Sequence, residues 1–591
     1  VATDTAPVPT THPIGFRFFF WGEFAERCSY YGMRAILALY MTERLGVDKA
    51  DAGTFMSLFI AACYFFPLVG GYVADNFLGK YWTIVLFSVP YVIAQFIVGI
   101  ENQYIVFGAL VLLAMGSGVI KPNISTLMGL TYDQQRPGQE QLRTSAFSWF
   151  YMSINIGAAL SQFGMPWLRT EFGYQVAFLF PAVLMAIALV IFAMGKKYYA
   201  RESIVRKVVG PAPAPTTTVT GIPVRYESVS AEELAAERAL KYTVLTRIGL
   251  LFLTVMFFWA VFDQSASTWI FFADTYMDCT LFGIPASADS IQAFNPVFIV
   301  ALVPVSVWLF KTLAAKGYNV KATQKMAVGY VLTGLSMVIM AVAGSLAGAK
   351  QDMVKFTSPE GSLVLPMWKE QKLDAVAGNA TAGTDVRIAA TDFEYDKDKK
   401  KLNFANGKIL LKNGTELEVK DGHLKTVGLP DGAALAAGGV AEPLVKGAEA
   451  LAKLKSEPTK ATLEVVDWVE PGKRVSVWWQ VLAFLIITVA EILISVTGLE
   501  LAFVAAPQSM KSFVTACWLA VVFLANLLIN APITRLYPKM EPATYFLMLA
   551  GAMAVVLVIF VPVAKQFNRA MAAAKEKEEA AKAAEGNTEA V

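Results

Sequence analysis

The sequence predicts an all-α membrane protein of twelve transmembrane helices in two six-helix halves, with a small, mainly β outer domain inserted between the ninth and tenth helices. Three observations carry this. The 591 residues are 56% hydrophobic and only 16% charged, with mean hydropathy +0.50, a balance that a soluble chain cannot hide from water. Long apolar runs recur along both halves, most exceeding the roughly 20 residues an α-helix needs to cross about 30 Å of hydrocarbon. A polar block at 350–474 interrupts the second set with alternating apolar and polar residues and turn dipeptides.

After an N-terminal tail at 1–13, the N-terminal half covers 14–195, with helices predicted at about 14–41, 51–76, 80–99, 103–130, 143–165 and 174–195. Residues 196–245 carry the PAPAPTTT stretch and a charged helical pattern around Ala231 to Lys241, the composition of a linker that has room for a lateral amphipathic helix. Helices seven to nine follow within 246–349, at about 246–277, 291–315 and 325–348. The insertion at 350–474 contains Asn406-Gly407, Asn413-Gly414 and Asp421-Gly422, dipeptides that favour tight hairpin turns. Its alanine-rich stretch at about 433–454 is a candidate helix. Helices ten to twelve fall within 475–568, at about 476–504, 511–536 and 542–568, before a charged tail at 569–591.

Lys196, Lys197, Arg201, Arg206 and Lys207 follow the sixth helix, and the positive-inside rule places that side in the cytoplasm. Lys311, Lys316, Lys321, Lys325, Lys565 and Arg569 fall on the same side. Both termini are then cytoplasmic and the insertion faces out. The opening stretch is polar and proline-bearing, without the pattern of a removable signal.

The net charge of +3 arises from 50 basic against 47 acidic residues, so electrostatics do not argue for nucleic acid as a partner. Cys28, Cys63, Cys279 and Cys517 are scattered without CxxC spacing, and the two histidines, His12 and His423, lie outside the apolar runs. No metal site or disulfide framework is indicated. Without a metal-ligand cluster, nucleophile elbow or phosphate loop, an enzyme is the least favoured class, and no cofactor is expected.

The charged residues inside the apolar runs are more informative. In EFAERCSYYGMR, spacings of three, four and seven put Glu23, Glu26, Arg27 and Tyr30 along one helix face, with Arg34 one turn further. Each ionisable group at the bilayer centre costs about 2.5–3.5 kcal/mol on insertion scales, so this face points into a bundle or a wet cavity. The plainer reading is a salt-bridge staple between helices, but four polar or charged groups exceed what one staple needs. Lys121, Asn155, Asp263, Asn295 and Glu491 also sit at membrane depth. Pro122 beside Lys121 frees backbone groups that need partners. Cations that hold a carboxylate, with an acid and amides that hold an ammonium group, suit a zwitterion. Trp259, Trp518, Tyr30, Tyr31 and Tyr64 are candidate pocket walls, although membrane aromatics more often pack or sit at interfaces. In GGYVADNFLGKY, Asp75 near a helix end reads as a gate element or, more blandly, as a cap.

Taken together, EFAERCSYYG, GGYVADNFLGKYWTI, GSGVIKPNISTL and FSWFYMSINIGAAL resemble the signatures of the proton-dependent oligopeptide transporter (POT) family of the major facilitator superfamily. FWAVFDQ and SVTGLE are similar to its mammalian intestinal members. The resemblance implies the major facilitator fold and proton coupling through Glu23, Glu26 and Lys121, with Arg27 pairing with the acids. It implies peptide carboxylate contacts from Arg34 and Lys121, amino-terminus contacts from Asn155, Asn295 and Glu491, and aromatic lining from Tyr30, Tyr31, Tyr64, Trp259 and Trp518. Asp263 takes the place of an acid that serves the outer gate. Ser57 stands where mammalian members carry a proton-handling histidine, so the proton path must rest on carboxylates. The two extra helices of many bacterial members do not fit in residues 196–245.

The expected function is proton-driven import of di- and tripeptides by alternating access, with peptides, protons and the lipid bilayer as partners. The rivals are a carrier of nitrate or another non-peptide solute, which Glu491 and the two asparagines disfavour, and a peptide-binding receptor, which the midplane charges disfavour. The histidine-poor membrane part favours a bacterial inner membrane over a eukaryotic plasma membrane.

Overall fold

The computed structural model describes residues 11–318, 320–350, 471–498, 501 and 511–588, together with the strands and a few flanking residues between 351 and 469. The first half consists of α1 (Gly15–Glu43), α2 (Lys49–Val73), α3 (Gly79–Ile97), α4 (Gln103–Gln135) and a helical run Glu140–Met194. Gly173, at φ 84°, breaks that run into α5 (140–172) and α6 (174–194). Asp48 and Asn102 start α2 and α4 by accepting from the backbone N–H groups of Ala50 and Asp51, and of Tyr104 and Ile105.

In the second half, α7 (Ala231–Phe262) continues through a 3-10 turn at Asp263–Ala266 into Thr268–Tyr276. It is followed by α8 (Phe294–Ala315), α9 (Ala322–Leu346), α10 (Trp478–Glu491), α11 (Lys511–Leu524) and α12 (Pro542–Thr588). π turns at Ile492–Val496 and Ala525–Asn530 extend α10 and α11. Among the described residues, nine stretches are long and apolar enough to cross a membrane, and two of them, Lys49–Ile97 and Glu140–Tyr198, each hold two of these helices. Chain and membrane fit together as an integral, multi-pass protein.

Two boundaries differ from the sequence expectation. The linker ends at 230, because Ser230 and Glu233 form a capping box and no proline interrupts the chain before Phe262, so the charged pattern at 231–241 opens α7 instead of lying as a separate lateral helix. The tail is helical to Thr588, as its run of alanine, glutamate and lysine favours. The rest of the linker holds β1 (Ile204–Val209), β2 (Thr216–Thr217) and β3 (Pro223–Val229), with β1 and β3 parallel and β2 on the far edge of β3.

Within the insertion lie a five-stranded and a six-stranded antiparallel sheet. The first runs in the order Phe393–Asp396, Lys401–Phe404, Ala461–Trp468, Gln351–Ser358 and Gly361–Pro366. The second runs from His423–Lys425 through Glu416–Lys420, Gly407–Leu411, Val386–Ala390 and Asn379–Ala382 to Leu373–Val376. Lys420 pairs with His423 across Asp421-Gly422, as a two-residue hairpin requires, and Leu410 pairs with Glu416 around Asn413-Gly414; both dipeptides lie outside the described residues. Asn406-Gly407 closes no hairpin: Gly407 is already a strand residue of the second sheet, and the chain crosses there from the first. In the candidate helix at 433–454, Ala436–Ala437 and Val440–Ala441 pair as short strands about a Gly-Gly step; the remainder lies outside the described residues.

Tight helix contacts assemble the halves. A Cβ on Gly118 of α4 would stand 2.7 Å from Phe66 of α2, and one on Gly157 of α5 would stand 2.9 Å from the Phe24 carbonyl of α1, so only glycine permits these approaches. The halves are tied together at the end that bears the insertion. There Lys49 Nζ donates to Thr275 Oγ1 (2.9 Å), Arg535 Nη2 pairs with Asp51 Oδ1 (3.0 Å) and Gln292 Nε2 donates to the Ala35 carbonyl (3.3 Å).

Candidate functional site

The charged face of α1 is buried as its spacing implied. Glu23 and Glu26 are 1% exposed and Arg27 is 2% exposed. Arg27 lies between the two acids, with Nε 3.1 Å from Glu23 Oε1 and Nη2 in contact with Glu26 Oε2. Ser117 Oγ of α4 donates to the other Glu26 oxygen at 2.6 Å. An unpaired charge here would be prohibitive, and one arginine against two acids leaves the group one positive charge short of neutrality. Lys121, one turn beyond Ser117, supplies the nearby cation. Its Nζ stands 5.2 Å from the Tyr64 ring centroid, and Arg27, Glu23 and Glu26 all act on it electrostatically.

Further along α1, Tyr30 and Tyr31 meet edge-on with centroids 5.1 Å apart, and Tyr30 stacks on Phe59 at 6.1 Å. Arg34 crosses to the other half, its Nη2 donating to Asp263 Oδ1 at 3.1 Å. The structure therefore joins two residues that the sequence reading assigned separately, one to a ligand carboxylate and one to the gate. Asp263 reaches this position because α7 tightens into its 3-10 turn there.

In the second half, Asn295 Nδ2 of α8 donates to Glu491 Oε2 of α10 at 2.9 Å and lies 3.0 Å from Thr488 Oγ1. Asn155 is not bonded to this pair; its Nδ2 donates to the Tyr151 carbonyl of its own helix at 3.0 Å. Trp259 packs edge-on against Phe258 and Phe262, and its buried Nε1 finds no acceptor among the described residues. Trp518 packs edge-on against Phe252 at 5.4 Å and covers Gly498, where a Cβ would stand 2.9 Å from its ring. Ser57 is bound to its own helix, donating to the Gly53 carbonyl at 2.9 Å.

Asp75 lies apart from these groups, in a π turn at Ala74–Leu78 between α2 and α3, where Lys80 Nζ donates to its Oδ1 at 2.7 Å. The linker grips this turn. The Glu202 carboxylate accepts from the Lys80 and Tyr81 backbone N–H groups at 2.5 and 2.9 Å. Thr220 Oγ1 donates to the Leu78 carbonyl at 3.1 Å, Arg206 donates to the Asn76 carbonyl, and Ile204, Ile222 and Val224 pack with Trp82.

Sequence reasoning missed two polar groups. Arg169 at the end of α5 bonds Asp289 Oδ1 (3.2 Å) and Ser287 across the halves, while also reaching Glu43 at 3.4 Å and the Tyr174 hydroxyl at 3.2 Å. These residues border polar loops, so sequence offers no signal to separate them from ordinary helix ends. Asn526 and Asn530 of α11 are buried with Gln264 and Tyr545 beside Asp263. Two asparagines four apart in FLANLLIN were a readable signal of an inward polar face.

The arrangement places two charge centres in the first half and an acid–amide pair in the second, within a bundle closed at one end. Solved structures share the fold. The chain aligns over 95% of its length with 99% of the POT family transporter PepTSo, at 22% identity and TM-score 0.62. It also aligns over 95% of its length with 97% of a variant peptide transporter POT in complex with alafosfalin, at 21% identity and TM-score 0.63. This likeness establishes the major facilitator architecture. Among curated proteins, it is 27% identical to solute carrier family 15 member 1 of Oryctolagus cuniculus, over 94% of this chain and 93% of that one. The human protein of that name is 32% identical over 56% of this chain and 52% of its own length. Peptide transporter family 1 of Drosophila melanogaster is 27% identical over 95% of this chain and 88% of that protein. Residues 81–232, 230–427 and 444–546 match the PTR2 model, described as the POT family, and with more than half of its length so matched, this chain belongs to the POT family.

Proposed function

We propose that this chain is a proton-coupled symporter that imports di- and tripeptides by alternating access through twelve membrane crossings. The observation that carries the reading is the buried Glu23–Arg27–Glu26 group on α1, set in a POT family chain whose curated relatives are named peptide transporters. Two acids share one arginine at a depth where every charge is costly, so the charge state of the acids and the position of nearby cations must change together. Protonating either acid removes a partner from Arg27 and alters the field on Lys121.

A peptide is recognised at both ends. Arg34 and Lys121 are placed to receive its carboxylate, while Glu491, held by Asn295, receives its ammonium group. Trp259 offers an unused indole N–H, and Tyr30, Tyr31 and Tyr64 supply apolar walls. The Glu491–Asn295 pair favours a zwitterion over nitrate. Trp518 and Asn155 serve the site less directly, the first as packing against Gly498 and the second from its place on α5, where it bonds its own helix.

Basic residues flanking the helix ends opposite the insertion put both termini in the cytoplasm. The end at which the halves are tied is then the outer side. Asp75 and the linker lie at the cytoplasmic side, and the histidine-poor membrane part favours a bacterial inner membrane.

The test is uptake of labelled dialanine into liposomes holding the purified protein, with and without an inward proton gradient, beside Glu26→Gln. Gradient-stimulated uptake that is lost in the variant supports peptide–proton symport. A folded wild-type protein that takes up no peptide under either condition would end the peptide assignment.

A further inference from the structure

The side chains around Asp263 form a one-way chain of hydrogen bonds. The Tyr545 hydroxyl and the Thr268 hydroxyl both donate to Gln264 Oε1, at 2.7 and 2.8 Å. Gln264 Nε2 donates to Asn530 Oδ1 at 2.5 Å, and Asn530 Nδ2 donates to Asn526 Oδ1 at 2.8 Å. Asn526 Nδ2 completes the series by donating to Asp263 Oδ2 at 2.8 Å, while it also lies 3.1 Å from the Val522 carbonyl of its own helix. Each amide accepts at its oxygen and donates from its nitrogen toward the carboxylate, so the bonds polarise one another in a single sense. Gln264 and Asn526 are fully buried and Asn530 is 1% exposed. Replacing such a satisfied network by apolar side chains of the same shape would cost the fold little, so its value lies in what it does for Asp263.

All of these donors belong to α7, α11 and α12, whereas the cation on the other carboxylate oxygen, Arg34, belongs to the first half. When the halves part at this end, Arg34 leaves and the amide chain stays. We infer that Asn526 is a positioning residue for Asp263, holding its carboxylate ionised and aimed at the gap after Arg34 has withdrawn. The inference rests on the alternating-access reading. It predicts a sign: Asp263 has two partners when this end is closed and Asn526 alone among them when it is open, so losing Asn526 disfavours the open state.

The test places spin labels at Tyr104 and Phe282, both exposed and one in each half, in full-length protein whose native cysteines are replaced by serine. The ratio of long to short distances reports opening. Asn526→Leu is expected to lower that ratio about tenfold, the scale of one charge-assisted hydrogen bond, and Asn526→Gln, which keeps an amide donor, to restore most of it. An unchanged or raised ratio in Asn526→Leu overturns the inference, and Asn526→Ala is read by the same criterion if the leucine variant does not fold. Arg34→Gln provides the separate check on the underlying reading. If it fails to raise the ratio, the Arg34–Asp263 pair is not a gate contact, whatever the asparagine variants do.

Discussion

Replacing Glu202 by alanine should loosen the start of α3 without disturbing the helix bundle. The first N–H groups of a helix lack partners within it, and here the linker supplies them, through two bonds from Lys80 and Tyr81 to one carboxylate. Loss of a side-chain cap costs about 1 kcal/mol, and loss of an anion at a helix N-terminus adds roughly 0.3–1 kcal/mol. The total of about 1.3–2 kcal/mol corresponds to roughly ten- to thirtyfold faster local opening. Hydrogen–deuterium exchange at Lys80 and Tyr81 reads this directly, with α9 as an internal control whose exchange should not move. Glu202→Gln, which keeps one acceptor oxygen, should fall between wild type and alanine. Unchanged exchange at Lys80 and Tyr81 in a folded Glu202→Ala protein would refute the reasoning, because it would mean that water caps α3 as well as the linker does.

Gly79→Ala should strain the same turn twice, since φ is +71° and the new Cβ would stand 2.1 Å from Ile222 Cδ1; the backbone part alone is about 1–2 kcal/mol. Adding Ile222→Ala should recover only the steric part, measured as exchange across 74–83. Asp289→Asn keeps an acceptor for Arg169 but removes the charge, a difference of about 1–1.5 kcal/mol, so opening at the insertion end should rise about five- to tenfold in the Tyr104–Phe282 distance ratio. The linker's contact with α7 should depend on pH. Hydrogen bonds from Lys241 and Lys207 hold the Glu237 carboxyl below its ordinary 4.5, so this contact is present above that value and is lost as pH falls through the lowered one. The hydrogen bond to Glu237 likewise raises Lys207 above 10.5, so on the alkaline side the contact is lost only as pH rises past that raised value. Limited proteolysis of 205–240 should therefore accelerate well below pH 4.5, and Glu237→Gln should abolish that acceleration.

The acids of α1 were legible because their periodicity is local: residues three, four and seven apart must share a face, and a charged face in hydrocarbon must turn inward. The same logic marked Lys121, Asp263 and Glu491, since each interrupts an apolar run. The chain reversal between Lys420 and His423 was legible for the same local reason, whereas at Asn406-Gly407 the chain changes sheets instead of reversing within one. The start of α7 was misplaced because hydropathy marks where a helix enters the membrane, whereas a capping box marks where it begins.

Partners were a different matter. A bundle of apolar helices with buried charges can be read from the residues alone, because burial follows from hydropathy and period. It is the packed fold that brings Arg34 to Asp263 and Ser117 to Glu26, turns Asn155 to its own helix, and lets the linker clasp the turn holding Asp75. A hydrogen bond acts over about 3 Å, and the residues it joins here are separated by as many as 484 positions, as in Arg535 and Asp51. Which of them meet is set by helix crossing and register, which depend on packing along the whole chain and leave no mark in any local stretch of sequence.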